Sequence, residues 1–325
     1  MNLLVTGGAG FIGSNFLDSL KYSTKWNRVF ILDSLTYAGN TLNLTSILEN
    51  PKFQFVHGDI RDSTIVGELM DGVDQVVHFA AESHVDRSIT DPSAFVTTNI
   101  LGTHNLLAAA LRNEVQRFIH ISTDEIYGSI ERGSWSEDSP IKPNSPYSAS
   151  KASSDLLALS YFKTYNFPVI VTRCSNNYGK YQHPEKLIPL AITNLIDRKP
   201  IPVYGDGLNS RVWLDVRDHC RGIDSVIENG KPGSVYNIGG GREFGNLQLI
   251  EVLLKLFGYD DSYIHFVPDR KGHDRRYALN FDKIREECGY EPFFHFEESL
   301  AETVQWYMDN EDWWRPLKAR VNSKL

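Results

Sequence analysis

A short apolar run, Leu3-Leu4-Val5-Thr6, leads without a spacer into Gly7-Gly8-Ala9-Gly10-Phe11-Ile12-Gly13. Few chain paths suit that order. Gly7 and Gly10 permit a tight turn and a close approach to the backbone from outside, while Gly13 lets the next helix lie against the strand. The pattern predicts strand, turn and helix in direct succession. Further β-branched runs follow at Val29–Asp33, Phe53–His57, Gln75–Phe79, Phe118–Ser122 and Val169–Arg173. Between them, Ala94–Leu111 and Ala149–Tyr165 carry apolar residues at three- and four-residue spacing, as helices do. Such alternation belongs to a parallel sheet covered by helices on both faces.

The expected fold class is therefore α/β, a Rossmann-type doubly wound parallel sheet with a smaller mixed α/β C-terminal substrate domain. Beyond Tyr178 the rhythm breaks, and prolines at 184, 189, 200 and 202 read as turns. Shorter helices are expected at Leu247–Leu256 and Phe296–Met308. This divides the chain into 1–178 and 179–325, with part of 212–238 returning to the first unit. No internal repeat or low-complexity tract is present.

At 325 residues, 41% hydrophobic and 23% charged, the chain has the make-up of a globular protein with a full core. Its net charge of -8 argues against nucleic acid or an anionic membrane as partner, though not against a small anion. Cys174, Cys220 and Cys288 are too few and too scattered for a disulfide framework or thiolate metal site, and the ten histidines show no metal spacing. No metal is expected. No apolar run approaches membrane-spanning length and no leader-like segment opens the chain, so a cytoplasmic location is expected. Trp306, Trp313 and Trp314 read as core or dimer packing.

The glycine turn has the flanks of a dinucleotide site, with the phosphates on the free N–H groups of the following helix. Asp33 ends the second strand about 20 residues past the last glycine, as a ribose-binding acid should. With Ser34 beside it and no arginine, NAD is expected rather than NADP. Asp59-Ile60, ending the third strand, could flank the adenine, although a turn acid reads equally well there.

Ser122-Thr123-Asp124-Glu125 ends the fifth strand, on the sheet edge where open parallel sheets bind ligands. Tyr147 and Lys151, four apart at the start of a helix, share a face. A lysine ammonium and an oxidised nicotinamide would both stabilise phenolate and lower the tyrosine pKa. Hydride transfer needs only the tyrosine. Two adjacent carboxylates in addition suggest an elimination, and Tyr127-Gly128 turns the chain back over them.

On these residues the chain resembles the extended short-chain dehydrogenase/reductase family and, within it, the dTDP-glucose 4,6-dehydratase branch. The resemblance runs through the glycine turn, Leu35–Asn40, Ala80–Ser88, Ser122–Gly128, Tyr147–Ser153, Cys174–Gly179, Pro184–Pro189 and Gly272–Tyr277. Sister epimerases, GDP-mannose dehydratases and decarboxylases carry other residues where Asp124 stands. The resemblance implies a homodimer, built through the 94–111 and 149–165 helices, acting on a nucleotide sugar with tightly held NAD. It implies that Tyr147 takes the C4 hydroxyl proton, Glu125 removes the C5 proton, Asp124 protonates the departing C6 hydroxyl and Thr123 polarises the C4 oxygen. For cofactor contacts it points to Phe11, Ile12, Asp33, Thr36, Asp59, Ile60, Ala80, Ser83, Thr98, Tyr147, Lys151 and Asn177. For the sugar nucleotide it points to Ser83, Thr123, Asn176, Lys186, Leu187, Pro202, Val203, Tyr204, Arg211, Asn246, Arg270 and His273. Tyr204 can stack on a pyrimidine, and Arg211 with Arg270 can pair a diphosphate.

Val212, Asp215, Arg217 and Lys271, with Lys180, depart from the family's usual residues and are expected to bear on the nucleotide and phosphate pocket. Thymidine and uridine nucleotides therefore both stay open, since one methyl is worth only about 1–3 kcal/mol in a pocket. The competing readings are a sister UDP-sugar epimerase or decarboxylase, in which an epimerase leaves Asp124 without a task, and a non-catalytic NAD-binding protein.

Overall fold

The protein, seen in a computed structural model, is described over residues 1–322. Six strands form along the first half: β1 (Asn2–Thr6), β2 (Arg28–Asp33), β3 (Phe53–His57), β4 (Gln75–His78), β5 (Arg117–Thr123) and β6 (Val169–Cys174). They lie parallel in the order β6-β5-β4-β1-β2-β3. Helices cover both faces, so the strands are apolar almost throughout, and Leu3, Leu4 and Val5 are wholly buried. The order reverses between β1 and β4, which opens a crevice at the carboxyl ends of these two strands.

The glycine turn fits there because nothing larger would. Gly7 has φ +72°, and a Cβ on Gly13 would stand 2.3 Å from the Gly7 carbonyl oxygen. The run expected at Ala94–Leu111 is helical, but it changes gauge. An α-turn at Pro92–Phe95 passes through a π-helical stretch, Val96–Gly102, into Thr103–Arg112. Within that stretch Asn99 donates to Ser150 Oγ at 2.8 Å and accepts from the Glu82 amide at 2.9 Å, tying the helix to its neighbours. The helix expected from Ala149 starts earlier, at Pro146, where Ser145 caps it in a reciprocal bond with Ser148.

In the second half, β7 (Asn176–Tyr178), β9 (Ser210–Asp215) and β11 (Arg242–Gly245) make a three-stranded sheet. β8 (Ile201–Tyr204) pairs with β12 (Ile264–Val267). β10 (Val235–Ile238) instead goes back to the large sheet, parallel to β6, and makes it seven-stranded. Two of the prolines do not mark turns. Pro189 sits in the first turn of the helix Leu187–Ile196, where its missing N–H is no loss, and Pro202 lies in the two-stranded pair. Trp313 and Trp314 are buried in the second half's core, and Trp313 donates its indole N–H to Asn43 of the first half at 2.7 Å. Among the described residues no helix is long and apolar enough to cross a membrane.

Candidate active site

One cavity of about 530 Å³ runs along the crevice between the two halves. All of the cofactor, substrate and proton-transfer residues expected from the sequence line it, from Gly7 and Asp33 at one end to Tyr204 and His273 at the other.

At the glycine turn, the helix Phe11–Ser19 begins at Gly10 without any side-chain cap. Its first N–H groups are left for an anion. Asp33 is buried, and its two carboxylate oxygens accept from the amides of Ala9 at 2.9 Å and Leu35 at 2.8 Å. The acid thus sets the turn's shape as well as facing the cavity, and burial raises its pKa. Asp59 forms an ion pair with Arg61, which the sequence reading passed over and which also lines the cavity. This open helix end and its flanking acid suit the phosphates and ribose of NAD.

The reacting groups stand at the end of β5. Asp124 begins a single 3₁₀ turn, Asp124–Tyr127, capped by the Thr123 hydroxyl, and Gly128 closes it at φ +75°. That turn drops Asp124 into the interior, 2% exposed. Its Oδ1 accepts only a long 3.4 Å bond from Thr123, and its Oδ2 has no partner. Burial, with Glu125 adjacent, pushes the Asp124 pKa up to about 8, against the pull of Arg211. Burial also raises Glu125, but Arg270, Arg211 and Lys186 oppose the rise. Burial thus raises both carboxyls, with Arg211 opposing the rise at each and Arg270 and Lys186 opposing it at Glu125.

In the protein alone the Tyr147 phenol is held well above the ordinary value by burial, with Glu125, Cys174 and Asp124 acting in the same sense and Thr123 opposing. Lys151 does not correct this, because its ammonium donates to the Ile121 carbonyl at 2.7 Å and burial lowers its own pKa to about 8. Any lowering of the phenol must come with a positive charge brought by the ligand.

The far wall is cationic. Arg211 spends its guanidinium on the carbonyls of Ser210 at 2.7 Å and Asp274 at 2.8 Å and stacks on Tyr277 at 4.2 Å, so it acts on a ligand mainly through its field. Arg270 Nε and the side-chain oxygens of Asn176 and Asn246 are buried without partners. These are donors and acceptors awaiting a polar ligand. Tyr204 is 42% exposed and meets His273 edge to face at 6.3 Å.

The expected influence of the departing residues on this pocket is not found. None of Lys180, Val212, Asp215, Arg217 and Lys271 lines the cavity. Asp215 and Arg217 satisfy each other at 2.8 Å, and Lys180 pairs with Asp18 at 2.8 Å. Two unusual residues thus explain each other as one ion pair. Conversely, Tyr277, Cys174 and Glu185 line the cavity and were not singled out. Each lies inside a segment that carried the resemblance, which was the only signal available. Among the described residues no cluster of His, Cys, Asp or Glu could hold a metal ion.

The GDP-mannose 4,6 dehydratase family profile matches residues 4–303. A dTDP-glucose 4,6-dehydratase of Streptomyces antibioticus is 57% identical, with 98% of this chain and 96% of that one covered. The crystal structure of DesIV (dTDP-glucose 4,6-dehydratase) from Streptomyces venezuelae, with NAD bound, superposes with a TM-score of 0.96 at 54% identity, covering 98% of this chain and all of that one. A UDP-glucuronic acid 4-epimerase from Bacillus cereus shares the fold at 30% identity and a TM-score of 0.90, over 95% of this chain and 99% of that one. The chain belongs to the GDP-mannose 4,6 dehydratase family and, within it, to the dTDP-glucose 4,6-dehydratase branch of the extended short-chain dehydrogenase/reductases.

Proposed function

We propose that the chain is an NAD-dependent hydro-lyase that converts dTDP-glucose to its 4-keto-6-deoxy sugar. The observation that carries this is Asp124, a carboxyl kept protonated by burial and an unpartnered oxygen, directly beside Glu125 with its opposing cations. NAD supplies a hydride acceptor for C4 and later a hydride donor for C6. Tyr147 takes the C4 hydroxyl proton, helped by the cofactor's positive charge, while Thr123 holds the C4 oxygen. The C4 ketone acidifies C5, and Glu125 removes that proton. Asp124 gives its proton to the C6 hydroxyl, which leaves as water. Glu125 then returns the C5 proton as hydride reaches C6. A general acid at the leaving group contributes about 10²–10⁴-fold.

In this reading residues 1–178, completed by β10, hold the cofactor and the remainder of 179–325 holds the sugar nucleotide. Lys186, Arg211 and Arg270 attract the diphosphate, and Tyr204 stacks on the base. Exposed apolar residues at Val96 and Leu101 on one helical run, and Leu156 and Tyr165 on the other, support a homodimer through these helices. Three unpaired cysteines suit the reducing cytoplasm.

The test is incubation with dTDP-, UDP-, GDP- and CDP-glucose, following the alkaline absorbance of the 4-keto product and its mass. Turnover of dTDP-glucose with loss of water is expected. A galactose product would instead make the chain an epimerase.

A further inference from the structure

The mechanism above gives no task to the cluster that roofs the cavity. Because β1 lies between β2 and β4 in the sheet, a contact between the loop after β2 and the helix Val85–Thr90 that follows β4 bridges across the end of β1, where the glycine turn begins. Tyr37 and Arg87 make that contact, with the guanidinium carbon 3.6 Å from the centre of the phenol ring. A segment from the second half closes on the pair. Glu185, whose side chain is 5% exposed, places Oε2 3.6 Å from Arg87 and 3.7 Å from the His84 ring. His183 and Tyr37 meet edge to face at 5.5 Å. Tyr37, His84, His183 and Glu185 all line the cavity, and Glu185 Oε1 and His183 Nδ1 are buried there without a hydrogen-bond partner. The Arg87–Glu185 pair, with the arginine 34% exposed, is a weak source of stability, and unpaired polar atoms on a cavity wall are costly unless a ligand meets them.

We infer that Tyr37, Arg87 and Glu185 form a strap closed over the pyrophosphate of the dinucleotide, positioning residues that retain the cofactor between the loss of hydride from the sugar and its return. The chemistry requires retention. Hydride taken from C4 must come back to C6 of the same sugar, so a reduced cofactor that escaped midway would strand an unsaturated keto sugar with nothing to reduce it. One member of the strap comes from the sugar-nucleotide half, beside Lys186, whose ammonium donates to the Ser83 carbonyl at 3.1 Å. Cofactor loops and substrate loop are thereby fastened together. The inference rests on NAD lying at the glycine turn and not on which sugar nucleotide is turned over.

The test compares wild type, Arg87→Met and Glu185→Gln, each saturated with NAD and then freed of unbound cofactor. Released NAD is trapped as NADH by ethanol and an alcohol dehydrogenase. Arg87→Met is expected to release NAD at least tenfold faster and Glu185→Gln to show a smaller increase. Added NAD should restore the turnover of Arg87→Met. Equal release rates in all three proteins overturn the strap, as does lost turnover that saturating NAD fails to restore. Where Arg87→Met does not fold, Glu185→Gln decides by the same trap. Since release is followed without sugar present, an error in the substrate assignment leaves the release rates untouched.

Discussion

Asp124 and Asp155 are buried alike, 2% and 0% exposed, yet their protons behave oppositely. Asp124 stands at the open end of β5, where one oxygen has no donor, and its pKa climbs to about 8. Asp155 lies one turn beyond Lys151 on the helix Pro146–Tyr165. Burial pulls its pKa upward too, but the His120 ring 3.3 Å away and Arg173 at 3.0 Å outweigh it and hold the carboxyl below its ordinary value. What separates the two acids is the charge beside them. Depth is shared, and each keeps one oxygen without a hydrogen-bond partner. Asp124 has the Glu125 carboxyl next to it, whereas Asp155 has the Arg173 guanidinium and the His120 ring.

The largest effect expected from breaking this contrast is at Asp124→Asn, which keeps the shape and loses the proton donor. Dehydration should slow by about 10²–10⁴-fold while oxidation at C4 continues, so NADH absorbance should build up on the enzyme. Slow dehydration without NADH would move the acid role elsewhere. On the other side, Asp155→Ala removes the partner of buried Arg173 and should cost about 3–5 kcal/mol in urea unfolding. An unchanged midpoint would mean that the donors around Asp155 do not set its state.

A pH series sharpens the same comparison. Asp124 has a folded pKa of about 8, above its ordinary 3.8, so the folded state binds the proton more tightly than the unfolded chain. Its contribution to stability is complete below about 4 and is lost as pH rises through about 8. Asp124→Asn should therefore be more stable than wild type by a margin that grows between those limits. Asp155, shifted downward, contributes stability that is lost only on acidification. Thermal melting across the range reads both slopes, and a margin that shrinks toward pH 8 would contradict the sign given to Asp124. The mildest change is expected at a third acid, Asp215, which is paired with Arg217. Arg217→Leu should cost about 1 kcal/mol or less, because the arginine is 38% exposed, and should leave KM for the sugar nucleotide unchanged.

Sequence and structure meet most fully where a function depends on one strand end. The glycine turn, Asp33 and the Ser122–Glu125 segment each follow a single buried strand, so a short pattern places them on the sheet edge. Six of the large sheet's seven strands were legible for the same reason, since parallel strands buried on both faces read as apolar runs, while β10 was foreseen only as part of 212–238 returning to the first unit. Other features depend on distances that no local pattern encodes. Lys151 finds the Ile121 carbonyl and not the Tyr147 hydroxyl because of how a helix settles on a strand. Asp215 and Arg217 look like changes to a pocket until their mutual ion pair is seen. Pro189 reads as a turn in isolation, although the first turn of a helix accepts proline freely. The π-helical stretch Val96–Gly102 leaves no trace in the spacing of apolar residues, and the roof of the cavity joins three segments far apart in sequence.

The return of β10 to lie against β6 bears on how the chain matures on the ribosome. Until residues 235–238 have emerged from the exit tunnel, β6 has no neighbour on its outer side, and its unpaired amides and carbonyls offer a template to any other strand nearby. The nascent amino-terminal portion is thus a six-stranded intermediate with a sticky border. Expression of a fragment stopped at residue 178 should yield aggregates, whereas one carried past residue 240 should remain dispersed.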